Sequence, residues 1–194
     1  DIGCFSLHPL KTLNACGDAG IVTTDDAELE QRILRLRNHG LKNRDECAEW
    51  GYNSRLDSLQ AAFLNLKLKH LSAWTEKRRN HAMIYQQELR GLNGIKCPSD
   101  RSHEYAAYHT FIIRADRRDD LQRYLKQHGI DAGVHYPVPI HVQESAASLD
   151  FGPGDMPKTE QQADEILSLP VHQNLSEDDI RYVSFKVRAF YAKQ

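Results

Sequence analysis

What this sequence has little of narrows its chemistry first. It has four cysteines, Cys4, Cys16, Cys47 and Cys97, and no Cys-x-x-Cys pair among them. That excludes a zinc knuckle and a dithiol redox motif, and scattered thiols of this kind suit a reduced, cytoplasmic protein. Ten histidines are present, yet none forms a His-x-x-x-His pair or a Glu-containing metalloprotease signature, so no metal site is expected. No apolar run approaches the ~20 residues of a membrane span, and the opening DIGCFSLHPL lacks a basic region followed by a long apolar one. The net charge of -2 offers no basic excess to draw nucleic acid or an acidic membrane. The cluster KRRN at 77–80 is better read as a solvated helix face. There are no repeats and no low-complexity tract.

What remains reads as an α/β chain. IGCFSL is strand-like and opens without a methionine, turn or cap before it, as expected of a chain that begins mid-fold. GDAGIVTTDD reads as a tight turn into a β-branched strand, Ile21 to Thr24. Asp25 or Asp26 can cap the helix AELEQRILRLRNHG, where Leu29, Ile33 and Leu36 share a face and Gly40 supplies the stop. Residues 41 to 54 show no periodicity and read as a long surface loop. RLDSLQAAF onward places Leu56, Leu59, Phe63 and Leu66 on one stripe, and helix formers continue to Leu92 as one long helix or two in series broken near Ser72. From Gly94 the texture changes. IKCPSD, AAYHTFIIRAD, LQRYLKQHG and IDAGVHYPVPIH alternate strand, strand, helix, strand, with PSDRSHE as a linker-like segment. Residues 144 to 157 suggest loops, TEQQADEIL a helix, LSLPVHQNL an extended run, and SEDDIRYVSFKVRAFY a final helix capped by Ser176. Trp50 and Trp74 read as packing residues.

The stretch SLHPLKTLNACGDAG carries the chemistry. Pro9 fixes its own φ and restricts His8, stiffening the approach to Lys11. A lysine at a strand end before a Gly-containing turn is a solvated charge, a phosphate contact or a nucleophilic amine, and the residues alone leave all three open. His8 reads as structural.

This run resembles the Schiff-base segment of the DegT/StrS family of sugar aminotransferases. Further matches follow in order: RNHG at 37–40, GYNSRLDSLQAA at 51–62, GVHYPVPIH at 133–141 and LSLPVHQNLSEDDI at 167–180. The resemblance implies the C-terminal part of a pyridoxal-phosphate transferase of the aspartate aminotransferase fold. Residues 1–70 would end the large cofactor domain, and 71–194 would form a connecting helix and a small α/β domain. It implies the cofactor pyridoxal 5'-phosphate, joined to Lys11, which would also shuttle the proton. Ser6 would hydrogen-bond the cofactor phosphate, and Asn53 would reach across a homodimer to the same phosphate of the neighbouring subunit. His135 and Tyr136 would line the sugar-nucleotide pocket, with Arg55 as a further substrate contact. For Asn53 the alternative is a helix N-cap before Arg55, a role Ser54 could also take.

The implied reaction moves an amino group from glutamate or glutamine to a nucleotide-linked keto-sugar, as in polysaccharide biosynthesis. Relatives that act as sugar dehydratases carry histidine in place of the lysine, and Lys11 argues against that reading. The family's aspartate for the pyridine nitrogen and its ring-stacking aromatic lie upstream of the matched segment. An incomplete fragment with little activity alone is therefore expected, the alternative being a non-catalytic remnant that binds or dimerises.

Overall fold

A computed structural model describes residues 1–192. The chain divides into two compact units, the first Asp1–Ala73 and the second starting at Trp74.

In the first unit, β1 (Ile2–Ser6) and β2 (Gly20–Thr24) pair antiparallel, with Ile2 opposite Thr24 and Ser6 opposite Gly20. The loop between them folds inward, so that Leu7 and Ala15 are buried with Leu64 of α2 (Ser58–Leu68). Helix α1 (Ala27–Leu36) starts at Asp26, whose Oδ1 accepts from the amides of Glu28 at 2.9 Å and Leu29 at 3.1 Å. It ends at Leu36 rather than at Gly40, whose N–H closes onto the Arg35 carbonyl at 2.9 Å.

Several sequence expectations change in this unit. Helix α2 begins at Ser58, not after Arg55, because the Ser54 amide is already spent on the Arg37 carbonyl at 2.8 Å and holds that stretch extended. Neither Asn53 nor Ser54 is therefore a cap. On α2 the stripe expected to face a core, Leu59, Phe63 and Leu66, is exposed, and Leu64 is the buried residue. Trp50, expected to pack, is 98% exposed among the described residues. The helical break falls at Lys69 and His70, ahead of α3 (Leu71–Glu88).

The second unit is built on an antiparallel sheet in the order β3 (Ile95–Lys96), β4 (Phe111–Ala115), β5 (Ile166–Leu169). On β4, Phe111, Ile113 and Ala115 alternate inward. They meet Tyr85 of α3, Leu121 and Leu125 of α4 (Arg118–Gln127), Leu167, and Ile180 and Val187 of α6 (Glu177–Ala192), giving one apolar core. Tyr85 stacks on Phe111 at 4.8 Å between centroids and donates its hydroxyl to the Pro170 carbonyl at 2.7 Å. Helix α5 (Pro157–Glu165) precedes β5.

The strand expected at 130–141 is absent: Gly133 makes a single bridge to Ser168, and Pro137 and Pro139 then remove the donors a ladder needs. The adjoining loop region is partly wound into 3₁₀ turns at Ile140–Val142 and Glu144–Leu149. Nor is KRRN a solvated face. Arg78 is buried, giving Nε to Gln173 Oε1 at 3.0 Å and Nη1 to the carbonyls of Tyr108 and His109. Arg79 meets Asp100 at 3.1 Å and the Ala106 carbonyl at 2.7 Å, so PSDRSHE is clamped rather than a free linker. No described helix is long and apolar enough to cross a membrane.

Candidate functional site

The segment after β1 is fixed from several sides. The Lys11 amide donates to the His8 carbonyl at 2.8 Å, closing a turn with Pro9 in its second position, where a preset φ favours the turn. The Leu10 amide donates to His8 Nδ1 at 3.2 Å. At the base of the loop, Leu7 N–H reaches the Ala19 carbonyl at 2.9 Å and Ala15 N–H the Leu7 carbonyl at 2.8 Å. Helix α2 adds two latches: Gln60 Oε1 accepts from the Cys16 amide at 2.8 Å, and Lys67 Nζ donates to the Asn14 carbonyl at 2.9 Å and to its Oδ1 at 2.7 Å. A Cβ on Gly17, the glycine of this turn, would stand 3.1 Å from the Gln60 amide nitrogen, so the Gln60 side-chain tip would have to give by a few tenths of an ångström.

Two lysines of this unit thus have opposite fates. Lys67 gives two of its three N–H donors to Asn14. Lys11 is half-buried on the tethered turn, and among the described residues no hydrogen bond or ion pair engages its Nζ. Ser6, at the end of β1, sits on the same segment. Its Oγ receives one long contact from the His8 amide at 3.4 Å, which leaves the hydroxyl proton available to a ligand.

Asn53 and Arg55 lie on a different part of the first unit. The sequence between RNHG and GYNS is an ordered excursion rather than a slack loop. His39 N–H bonds the Tyr52 carbonyl at 2.8 Å, Tyr52 N–H the Leu36 carbonyl at 2.7 Å, and Ala48 N–H the Gly40 carbonyl at 2.9 Å. Glu49 takes both Arg35 and Arg32 of α1, at 3.2 and 3.4 Å. Asn53 pairs with Asn38 in a backbone bridge, and its exposed side chain accepts from Arg55 Nε at 2.9 Å through Oδ1. Both residues are exposed, and among the described residues no hydrogen bond engages the Asn53 amide nitrogen or the outer guanidinium nitrogens of Arg55. No hydrogen bond within the chain joins Asn53 or Arg55 to Lys11 or Ser6 among the described residues.

In the second unit, His135 and Tyr136 are exposed neighbours joined by a cis peptide bond. His135 Nδ1 lies 2.8 Å from Ser168 Oγ, and the Tyr136 ring stands edge-on to the imidazole. Sequence reading passed over two groups beside them. His141, which closes the GVHYPVPIH motif, is buried, with Nε2 3.0 Å from Glu160 Oε1 of α5. The Glu160 carboxylate lies below the ordinary carboxylate range because the Gly154 amide donates to it and His141 adds a further bond. A helical carboxylate 19 residues from its histidine gives no spacing signal. Among the described residues no group of three or more metal-ligating side chains converges.

The donors in the first unit, a free amine, a hydroxyl, an amide and a guanidinium, suit an aldehyde that also carries a phosphate dianion. The comparisons bear on that chemistry. The family model of the DegT/DnrJ/EryC1/StrS aminotransferases matches residues 1–188. A "pleiotropic regulatory protein" of Geobacillus stearothermophilus is 42% identical, over 96% of this chain and 51% of its own length. The dTDP-3-amino-3,4,6-trideoxy-alpha-D-glucose transaminase of Streptomyces venezuelae is 39% identical over 90% of this chain and 46% of its own. A UDP-N-acetyl-3-dehydro-alpha-D-glucosamine 3-aminotransferase of Acidithiobacillus ferrooxidans is 38% identical over 97% and 50%. Among solved structures, S. venezuelae DesV in complex with a ketimine intermediate superposes with a TM-score of 0.95 at 37% identity, over 98% of this chain and 51% of that one. The chain spans about half the length of the curated relatives it matches.

Proposed function

The chain belongs to the DegT/DnrJ/EryC1/StrS aminotransferase family, and from that premise we propose that it acts in a pyridoxal-phosphate transaminase that moves an amino group from glutamate or glutamine onto a nucleotide-linked keto-sugar. The observation that carries this reading is Lys11: an amine that no described residue engages, on a turn tied down at both ends, with the Ser6 hydroxyl on the same segment. When bound, pyridoxal phosphate supplies the carbonyl that receives the amino group and the ring that accommodates the electron pair left on proton removal.

The chain's own residues supply holding and proton transfer. Lys11 Nζ anchors the group and carries the proton between the two carbons that exchange it, a transfer that the closed His8–Lys11 turn favours by limiting the excursions of the stem. Ser6 Oγ donates to the phosphate. Asn53, held by the Asn38 bridge at the foot of the 41–54 excursion, presents its amide to the phosphate of a neighbouring subunit in a homodimer, with Arg55 beside it. His135 and Tyr136 orient the sugar nucleotide.

Borohydride reduction of the purified chain with pyridoxal phosphate, followed by peptide mapping, tests this. Near-stoichiometric pyridoxyl label on Lys11, with little on Lys42, Lys67 or Lys69 and none after Lys11→Ala, is the expected result. Label spread evenly over surface lysines would refute it. The G. stearothermophilus relative is named a regulatory protein, and the second reading is a non-catalytic remnant of the family that binds or dimerises. Under that reading Lys11 gains no preference over Lys42.

A further inference from the structure

Residues 133–142 have almost no backbone means of staying in place. Beyond the Gly133 bridge to Ser168 the run enters no ladder, two of its residues are prolines, and it presents Tyr136 (75% exposed) and Ile140 (81% exposed) to solvent. Side chains hold it instead. His135 Nδ1 meets Ser168 Oγ at 2.8 Å near one end, and His141, only 6% exposed, meets Glu160 Oε1 at 3.0 Å at the other. Because an ionised carboxylate only accepts, His141 Nε2 must carry the hydrogen of this bond.

Glu160 also holds a second irregular segment. Its Oε1 and Oε2 both accept from the Gly154 amide at 2.9 Å, and Oε1 accepts from the Met156 amide at 3.2 Å. Gly154 adopts φ +95°, a conformation open to glycine, which lets its N–H turn toward the carboxylate. One α5 side chain therefore joins the exposed 133–142 run, whose regular structure is limited to the short 3₁₀ turn Ile140–Val142, to the 152–156 turn that leads into α5.

We propose that Glu160 is a positioning residue for sugar-nucleotide binding, fixing the run that presents His135 and Tyr136 through His141 and the adjoining turn through Gly154 and Met156. This rests on the reading above that His135 and Tyr136 contact the sugar nucleotide. Removing the carboxylate leaves His141 buried without its acceptor and frees both segments together, so ligand binding must then order them.

The test uses the full chain loaded with pyridoxal phosphate, with dTDP-glucose and UDP-N-acetylglucosamine as probes and three variants. Glu160→Ala is expected to speed amide exchange at least tenfold in both 135–142 and 152–156. It should weaken the preferred probe about tenfold while leaving exchange in Phe111–Ala115 and the pyridoxyl label on Lys11 unchanged. Glu160→Gln, which keeps an oxygen for the Gly154 amide, should restore most of the affinity. His141→Phe, which spares the Gly154 and Met156 bonds, should loosen 135–142 alone and weaken the probe similarly, and it carries the test should Glu160→Ala not fold. Unchanged probe affinity in variants whose segments have loosened would overturn the positioning role, as would unchanged exchange in both segments. A wild-type chain that binds neither probe, yet shows the exchange pattern, would overturn the substrate reading instead and remove the role with it.

Discussion

Gly40 and Gly51 meet back to back. A Cβ on Gly51 would lie 2.3 Å from the Gly40 nitrogen, and one on Gly40 would lie 1.6 Å from the Glu49 carbonyl oxygen, at a φ of +69°. Backbone cannot yield at such distances as a side-chain tip can, so Gly51→Ala must push the two strands of the excursion apart. It is expected to destabilise the first unit by about 2–4 kcal/mol and to raise amide exchange at Tyr52 and Ser54. Gly152→Ala is its control: a Cβ there meets nothing within 4 Å, and the expected change is within about 0.5 kcal/mol. The glycine pair gives the family motifs RNHG and GYNS a joint meaning. Each was legible in the sequence as a separate match, but nothing in either shows that they face one another. The contact is between backbones, and a glycine writes its neighbour nowhere in the sequence. The proposed reach of Asn53 depends on this contact, since the same crossing sets the Asn38–Asn53 bridge.

At the scale of elements, the helices with one-sided periodicity and a local cap could be read directly. Ser176 Oγ accepts from the Asp179 amide at 3.2 Å, while Asp179 Oδ2 accepts from the Ser176 amide at 2.8 Å, a reciprocal cap at the start of α6. Ser176→Ala is expected to cost about 1 kcal/mol, seen as a lower denaturation midpoint. At α2 the cap position, Asp57, makes no side-chain bond, and Asp57→Ala should leave the midpoint unchanged within error. What could not be read follows one physical pattern, interactions between groups distant in sequence. Arg78 looked like part of a charged face because its partners are carbonyls of residues 108 and 109, and carbonyls carry no sequence signature. The 130–141 run looked like a strand because its apolar residues alternate. Alternation reports which side chains could be buried, not whether the amides find a ladder, and here Pro137 and Pro139 decide otherwise. The apolar stripe of α2 is legible in the sequence, but periodicity does not say what covers it, and among the described residues Leu59, Phe63 and Leu66 stay exposed.

Across the second unit as a whole, the titrating groups lean one way in acid and the other in base. Asp100 lies below the usual carboxylate range through the Tyr108 hydroxyl, Asp120 through Arg117, Glu160 through the Gly154 amide and Asp179 through the Ser176 amide. A carboxyl depressed in the fold contributes stability above its unfolded pKa, and that contribution is lost as pH falls through the folded value, here progressively below about pH 5. His172 is exposed overall, yet partial desolvation and the nearby charge of Arg78 lower its imidazole from 6.5, so the unfolded chain takes up its proton first. Its acid loss therefore starts earlier, as pH drops below 6.5. On the alkaline side burial pushes the Cys97 thiol from 9.0 up to about 11 and the Tyr191 hydroxyl from 10.0 up to about 12. A group raised in the fold contributes fully below its unfolded pKa and loses that contribution as pH climbs toward the folded value. The two limbs predict a stability maximum between about pH 7 and 8.5, measurable as the slowest exchange of the Phe111–Ala115 amides after correction for the intrinsic rate. His172→Gln separates the contributions: it should flatten the decline between pH 6.5 and 5 while the steeper carboxylate limb below pH 5 persists. An unchanged decline between pH 6.5 and 5 in that variant would show that His172 does not set the early acid limb.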